Sequence, residues 1–224
     1  MKTYAIIPAG GKGRRAGGKT PKQYLKLKSK EMIVYTLDIF QQCPLVAEII
    51  IAADKTYFDL LKRIKKKYSF TKLTKIIESG MERQDSVYNA LKSLRADKDD
   101  LVIVHDAARP LLPPDVLSEA IKTAHKRGNA LVCIKAKDTL LKGKELVQHY
   151  IDRTDVLYVQ TPQIFRYGDL MRAMKKAYEE NYIGTDESML AFRAGIKINI
   201  VEGSAFNFKV TTKEDVVIIR KLVK

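Results

Sequence analysis

The sequence predicts an α/β protein: a mostly parallel sheet with helices on both faces and a protruding β-arm. Three observations predict it. Short apolar runs alternate with helical patterns, the order of repeated strand–helix units. The runs are apolar at consecutive positions rather than at every second one, as strands covered on both faces must be. The rhythm then breaks once, after Lys135, where residues 137–158 carry mixed polarity, no helical stripe and a turn at Gly143-Lys144.

The strand runs lie at 4–8, 48–53, 75–78, 101–105 and 130–135. Between them Ile33, Leu37 and Phe40 form one helical stripe, and Leu61, Ile64 and Tyr68 a second. Val87, Ala90, Leu91 and Leu94 recur at i, i+3, i+4, i+7, as do Leu117, Ala120, Ile121 and Ala124. The break reads as a hairpin, with 139–142 going up and 145–151 coming back. Helices are expected near 167–180 and 186–193, then a strand at 197–202 and a short one at 207–210. The last helix opens on a cap-like Thr212-x-x-Asp215. With no linker, repeat or low-complexity stretch, residues 1–224 read as one domain and 137–158 as its arm.

The chain carries 41 Lys+Arg against 26 Asp+Glu, a net charge of +15. Such a field attracts phosphates, nucleic acid or acidic membranes. Much of it reads as solvated helix face, as in Lys62-Arg63-Ile64-Lys65-Lys66-Lys67. Cys43 and Cys133 lie far apart with no CxxC spacing, which suggests a reducing compartment. The N-terminus enters a strand without the apolar region of a secretion signal. No apolar run approaches the roughly 18 residues of a membrane span. A cytoplasmic protein without a membrane partner is expected.

The segment following the first strand holds the densest signal. Residues 9–22 contain Gly10, Gly11, Gly13, Gly17 and Gly18 together with Lys12, Arg14, Arg15, Lys19 and Lys22. In open α/β sheets ligands bind beyond the carboxyl ends of the strands. Glycines there let backbone N–H groups approach an anion, and the cations add charge. Three patterns compete for this loop. Gly11-x-Gly13-x-x-Ala16 fits a dinucleotide fingerprint, but the expected acid comes too late, near Asp54. Gly13-x-x-x-x-Gly18-Lys19-Thr20 fits a P-loop, but Tyr24-Leu25-Lys26-Leu27-Lys28 alternates with period 2 where a helix is required. The third pattern uses the whole stretch, as nucleotidyltransferases do: strand, Pro-Ala-Gly-Gly-x-Gly-x-Arg, then Pro-Lys-Gln-Tyr.

Further motifs follow in order. Gly80-Met81-Glu82-Arg83-Gln84-Asp85-Ser86-Val87 follows the third strand and opens a helix; Ser86 contacts a ligand or caps the helix. His105-Asp106-Ala107-Ala108-Arg109-Pro110 follows the fourth strand. A strand-end Asp106 suits Mg²⁺ beside a triphosphate, or it orders the turn and pairs with Arg109. A hydrophobic run ending in Asp also mimics a Walker B strand and keeps the P-loop alternative open. Gln160-Thr161-Pro162-Gln163-Ile164-Phe165 is a polar strand end held by a proline, and Thr185-Asp186-Glu187 reads as a cap. Lys209, within an otherwise apolar strand, is read as facing an anionic substrate.

This ordered set, with Asp-Thr, Asp-Arg, Val-Glu-Gly and Asn-x-Lys-Val-Thr-Thr-x-Glu-Asp, resembles the 2-C-methyl-D-erythritol 4-phosphate cytidylyltransferases from Ile6 to Asp215. The resemblance implies a homodimeric, Rossmann-like enzyme of isoprenoid precursor synthesis. It implies CTP and a small polyol phosphate as substrates, Mg²⁺ as cofactor, and a diphosphocytidyl product with pyrophosphate. It also implies roles: Arg15 and Lys22 at the α-phosphate; the loop at Ala9, Gly10, Gly11 and Gly13 on ribose and phosphates; Gly80 and Ser86 on cytosine, with Asp106 and Ala107 beside the nucleotide. Thr139, Arg153, Thr161, Lys209 and Arg109 would position the sugar phosphate, Thr139 and Arg153 from the neighbouring subunit's arm. Ala16 and Met81 depart from the residues usual in the family. The ribitol-5-phosphate cytidylyltransferases are the nearest alternative; Ala108 and Ile151-Asp152-Arg153 favour the erythritol branch. A P-loop kinase and a nucleic-acid-binding protein are more distant readings, the latter lacking any recognised module.

Overall fold

The computed structural model describes residues 1–11 and 20–223. The chain begins with β1 (Thr3–Pro8), a small hairpin of β2 (Lys26–Leu27) and β3 (Lys30–Glu31), and α1 (Met32–Gln42). Next come β4 (Glu48–Ala53), α2 (Phe58–Lys67), β5 (Leu73–Glu78), α3 (Arg83–Ser93), β6 (Leu101–Val104), α4 (Pro114–Arg127) and β7 (Asn129–Lys135). The arm strands β8 (Leu140–Gly143) and β9 (Val147–Ile151) follow, then β10 (Leu157–Arg166), α5 (Tyr167–Glu179), α6 (Glu187–Arg193), β11 (Ile200–Glu202) and α7 (Lys213–Leu222).

Seven strands make one sheet in the order β11-β7-β10-β6-β1-β4-β5. Its pairings are parallel except those of β10, which runs antiparallel to both β6 and β7. Successive residues of β1 serve opposite faces. Ala5 and Ile7 pack with Ile49, Ile51 and Ile103 beneath Leu37 of α1, Leu61 of α2 and Leu117 of α4. Tyr4 and Ile6 pack with Ile50, Val102 and Val104 beneath Leu91 of α3, Met174 of α5 and Leu190 of α6. Burial on both faces is why the strands read as unbroken apolar runs. A third cluster of Leu27, Met32, Val210, Val216 and Ile219 fastens the hairpin and α7 beside the end of β6.

Three expectations change. Residues 207–210 are not a strand: a 3-10 turn at Ala205–Asn207 leads into an extended segment, where the Val210 N–H donates to the Ala108 carbonyl at 2.9 Å. Its apolar pattern comes from Phe208 and Val210 packing into the third cluster. β11 is shorter than 197–202 because the Asn129 side chain bonds the Lys197 carbonyl and the Asn199 N–H where a ladder would otherwise run. β10 is a full central strand rather than a strand end. Gln160, Thr161 and Gln163 are buried in it, its register against β7 shifts between Val159 and Gln163, and the Thr161–Pro162 peptide is cis. Those polar residues conceal it from any apolar-run criterion. The arm forms as expected, with Leu140 opposite Ile151, and leaves Leu141, Leu146, Val147 and Tyr150 exposed. Among the described residues no helix is long and apolar enough to cross a membrane.

Candidate active site

The carboxyl ends of β1, β5 and β6 surround a cavity of about 300 Å³. One wall is the backbone from Pro8 to Gly11. It continues β1 by one residue, since the Ala9 N–H donates to the Ala52 carbonyl at 2.7 Å. A 3-10 turn at Lys22–Tyr24 clamps this wall from behind. Gln23 Nε2 donates to the Ala9 and Gly11 carbonyls at 2.7 and 2.8 Å, and the Tyr24 hydroxyl donates to Ala9 at 3.2 Å. A Cβ on Gly10 would stand 2.3 Å from Ser79 Cβ, so glycine there allows the β1 and β5 loops to touch. Around Gly11 the space is open to 4 Å. Lys22 lines the cavity and its Nζ donates to the Val210 carbonyl at 2.6 Å. Gly13 and Arg15 lie outside the described residues, as do Lys12, Arg14 and Lys19. Beyond Thr20 the chain passes Pro21 at ψ 140 into the three-residue turn. A P-loop needs a helix there, so the kinase reading fails.

The opposite wall follows β5. The Gly80 N–H donates to Ser86 Oγ at 3.1 Å, and the Ser86 hydroxyl donates to the Glu82 carbonyl at 3.0 Å. The Glu82 N–H donates to Asp85 Oδ2 at 3.0 Å, capping α3. A Cβ on Gly80 would fall 2.1 Å from Asp85 Cβ, so that side chain packs directly on the glycine. Met81 stands on the rim, fully exposed.

The floor is Asp106 to Ala108, at the end of β6. Asp106 Oδ1 pairs with Arg83 Nε at 3.1 Å; Oδ2 pairs with Lys209 Nζ at 2.9 Å and Arg109 Nε at 3.6 Å. Burial alone would raise the Asp106 carboxyl, but these three cations hold it well below the usual carboxylate range. Arg83 also clamps buried Glu187 at 2.7 and 3.0 Å, so its guanidinium stays charged despite its own burial. Lys209 thus faces the cavity, as its place in an apolar segment suggested.

Behind Asp106 lies a buried relay. Its N–H donates to Thr161 Oγ1 at 3.1 Å, and that hydroxyl contacts His105 Nδ1 at 3.2 Å. His105 Nε2 faces the Arg109 carbonyl at 3.1 Å, which makes Nε2 the protonated nitrogen and Nδ1 the acceptor of the threonine proton. Burial pushes the imidazole down to about 4, so it is neutral at pH 7. Arg109 Nη1 donates to the Asn207 carbonyl at 2.6 Å, and Asn207 Nδ2 donates to the Thr161 carbonyl at 2.7 Å.

Of the residues singled out from sequence, Ala9, Gly10, Gly11, Lys22, Gly80, Ser86, Asp106, Ala107 and Lys209 line the cavity. Thr161 and Arg109 do not; both are buried and committed to the relay beneath Asp106. Thr139 and Arg153 are also absent from the lining. They lie in the exposed arm region, where Arg153 donates to the Lys137 carbonyl. Gln23, Arg83 and Glu187 were missed. For the first two the signal was there, inside Pro-Lys-Gln-Tyr and Glu-Arg-x-Asp-Ser-Val; Glu187 was taken for part of a cap.

Asp106 does not fit the Mg²⁺ role expected of it. Both its oxygens are occupied by cations, and a dication would enter a site already positive. Among the described residues no group of three or more His, Cys, Asp or Glu is placed to hold a metal.

An open, mostly parallel sheet with a glycine-walled, lysine-flanked cavity at its strand ends defines a Rossmann-like nucleotidyltransferase. The family model described as 2-C-methyl-D-erythritol 4-phosphate cytidylyltransferase matches residues 3–224, and the chain belongs to that family. The protein of that name from Syntrophus aciditrophicus is 38% identical over 226 residues, covering 100% of this chain and 96% of the relative. The one from Clostridium perfringens strain 13 is 38% identical over 227 residues, covering 100% and 99%. The solved Francisella tularensis 2-C-methyl-D-erythritol 4-phosphate cytidylyltransferase superposes with a TM-score of 0.85 at 30% identity, covering 100% of both chains.

Proposed function

We propose that this chain transfers the cytidylyl group of CTP to 2-C-methyl-D-erythritol 4-phosphate, releasing pyrophosphate. The observation that carries the reading is the cavity's make-up: glycine backbone on two sides, Lys22 and Lys209 on the others, and among the described residues no histidine in the lining. A phosphate oxygen of the sugar phosphate attacks the α-phosphorus in line. The bond from that phosphorus to the pyrophosphate bridging oxygen breaks, and the leaving group departs as an anion. The nucleophile is already an anion, so no general base is required. Fixed cations that stabilise charge on the phosphoryl oxygens and leaving group do the catalytic work.

In this reading Lys22 and Arg15 serve the α-phosphate, and Ala9, Gly10, Gly11 and Gly13 hold ribose and phosphates. Gly80 and Ser86 face the cytosine, with Ala107 beside the nucleotide. Lys209 meets the sugar phosphate, while Thr161 and Arg109 act through Asp106. Residues 1–224 form one domain. The chain works as a homodimer through its arm at 137–158, which carries Thr139 and Arg153 into the partner's cavity; the arm's exposed apolar residues support this. A divalent cation such as Mg²⁺ is assigned to the phosphates of the nucleotide, since the residues present do not build a site for it. The two cysteines are free and buried, which supports a cytoplasmic location. No specific nucleic-acid or membrane partner is assigned.

The test is pyrophosphate release with CTP, Mg²⁺ and a panel of methylerythritol, ribitol and erythritol phosphates. Turnover is expected with the methylerythritol ester foremost. No turnover of any polyol phosphate at saturating CTP would sink the assignment, and preference for ribitol phosphate would move it to the other branch.

A further inference from the structure

Tyr178 lies on α5, outside the cavity, and belongs to none of the motifs above. Its hydroxyl donates to Asp85 Oδ1 at 2.6 Å. The other oxygen of that carboxylate accepts the Glu82 N–H, and the Asp85 Cβ packs on Gly80. The tyrosine ring is seated on Tyr88 of α3, with centroids 4.8 Å apart and planes tilted by 42°. Burial, then the Asp85 hydrogen bond, push the phenol well above its ordinary range, so the proton stays on the donor.

The cap made by Asp85 fixes the shape of the turn at 80–82 from within the turn itself. It does not fix where that turn stands relative to the sheet. Two side chains tie it to other elements: Arg83 to Asp106 and Glu187 at the start of α3, and Tyr178 through the one carboxylate that touches both Glu82 and Gly80. Gln84 makes a separate tie, to the Tyr182 carbonyl and the Gly184 N–H, but it does not touch the wall of the cavity.

We infer that Tyr178 is a positioning residue which, through Asp85, sets the wall at Gly80 and Ser86 and thereby the affinity for the nucleotide. The inference rests on the reading of that wall as the cytosine side of the site. Tyr178→Phe keeps the ring contact and removes the hydrogen bond. The KM for CTP, and its Kd by calorimetry, are expected to rise about five-fold, only part of the weight of a hydrogen bond to a carboxylate, because the bond exists with and without the nucleotide. The kcat and the KM for methylerythritol phosphate stay unchanged. Asp85→Ala, which keeps the Cβ packed on Gly80, shifts the same constants, and the double variant is no worse than Asp85→Ala alone, because without the carboxylate Tyr178 has nothing to hold. An unchanged KM for CTP in Tyr178→Phe, an equal rise for both substrates, or additive effects in the double variant would overturn the proposal. Ser86→Ala separates the two levels. If it raises the KM for CTP while Tyr178→Phe does not, the tie fails and the nucleotide wall stands. If neither moves that KM, the wall reading itself falls.

Discussion

Removing the charge of Asp106 without changing its shape, by Asp106→Asn, tests the electrostatics of the site directly. Three cations converge on this carboxylate, and the loss is not three full ion pairs. Arg83 keeps its bidentate partner Glu187. Lys209, with a side chain 41% exposed, regains water by turning outward. Arg109 is the exposed weakness: its side chain is only 10% accessible, and it keeps just the neutral Asn207 carbonyl. One buried cation losing its counter-charge places the cost at the lower end of the range for breaking buried pairs, about 3 kcal/mol. For a domain of this length that is a Tm about 6–12 °C lower. The pH dependence gives a second reading. The folded carboxyl titrates well below an unfolded value near 3.9. Its contribution is therefore complete above about pH 4 and is lost as the pH falls toward the folded value. Urea unfolding followed by circular dichroism at pH 7 and pH 3, at one protein concentration, should show a gap between native and variant that narrows in acid. A gap under about 1 kcal/mol at pH 7, or one of equal size at pH 3, would refute the three-cation account.

The same measurement, scanned from pH 7 to 4, tests His105. Its folded value of about 4 lies below the unfolded 6.5, so stability should fall by about 3 kcal/mol as the pH drops through that window and level off beneath it; His105→Gln should flatten this limb, and an unchanged slope would mean another group titrates. Gly10→Ala should destabilise by about 1–3 kcal/mol through its clash with Ser79, while Gly11→Ala, with open space around it, should not; equal melting temperatures would contradict the close approach of the two loops. Lys22→Ala is expected to lower kcat about 10²–10³-fold, the scale of one lost transition-state donor; a change confined to KM would make Lys22 a binding residue only. Arg153→Ala mixed with Arg15→Ala should recover activity in hybrid dimers, and no recovery despite hybrid formation would return the arm to its own subunit's site.

The sheet was legible wherever strands are buried on both faces, because an unbroken apolar run such as Ile49-Ile50-Ile51 records that environment directly. At β10 only a strand end was legible, because Gln160 and Thr161 are buried but satisfied by Ser204, Asn207 and the Asp106 N–H. Partners 44 to 55 residues away cannot be inferred from local polarity. The site divides in the same way. Gly80, Ser86, Asp106 and Lys209 were found because each sits in a strand-end motif or breaks an apolar pattern. Arg83 stood in a motif, but Glu187 was illegible, since its meaning lies in a contact with Arg83 across 104 positions. Thr161 was named by the resemblance, as a residue that positions the sugar phosphate. Only the fold shows that its hydroxyl serves the backbone of Asp106 rather than the cavity.

That arrangement explains how a cavity meant for two anions remains folded without them. Lys22, Lys209 and Arg83 would repel one another if left bare, and each has a partner supplied from within the chain: a carbonyl for Lys22, Asp106 for Lys209, and two carboxylates for Arg83. The partners differ in how readily they release their cation. Arg83 is fixed by a bidentate clamp on a carboxylate at 1% exposure, and buried Arg109 has nowhere else to go. Lys22 donates to a neutral carbonyl, a weaker acceptor than a phosphate oxygen, and the Asp215 carboxylate lies near it. Lys209 is accessible enough to turn from Asp106 toward an incoming anion. Arg83 and Arg109 therefore keep Asp106 charged and in place, and on the proposed reading Lys22 and Lys209 are, among the described residues, the cations able to transfer to substrate. If both kinds of cation were equally buried, phosphate binding would have to break the network that holds the floor of the site. Separating a fixed pair from an exchangeable pair lets the anions enter while the floor stays intact.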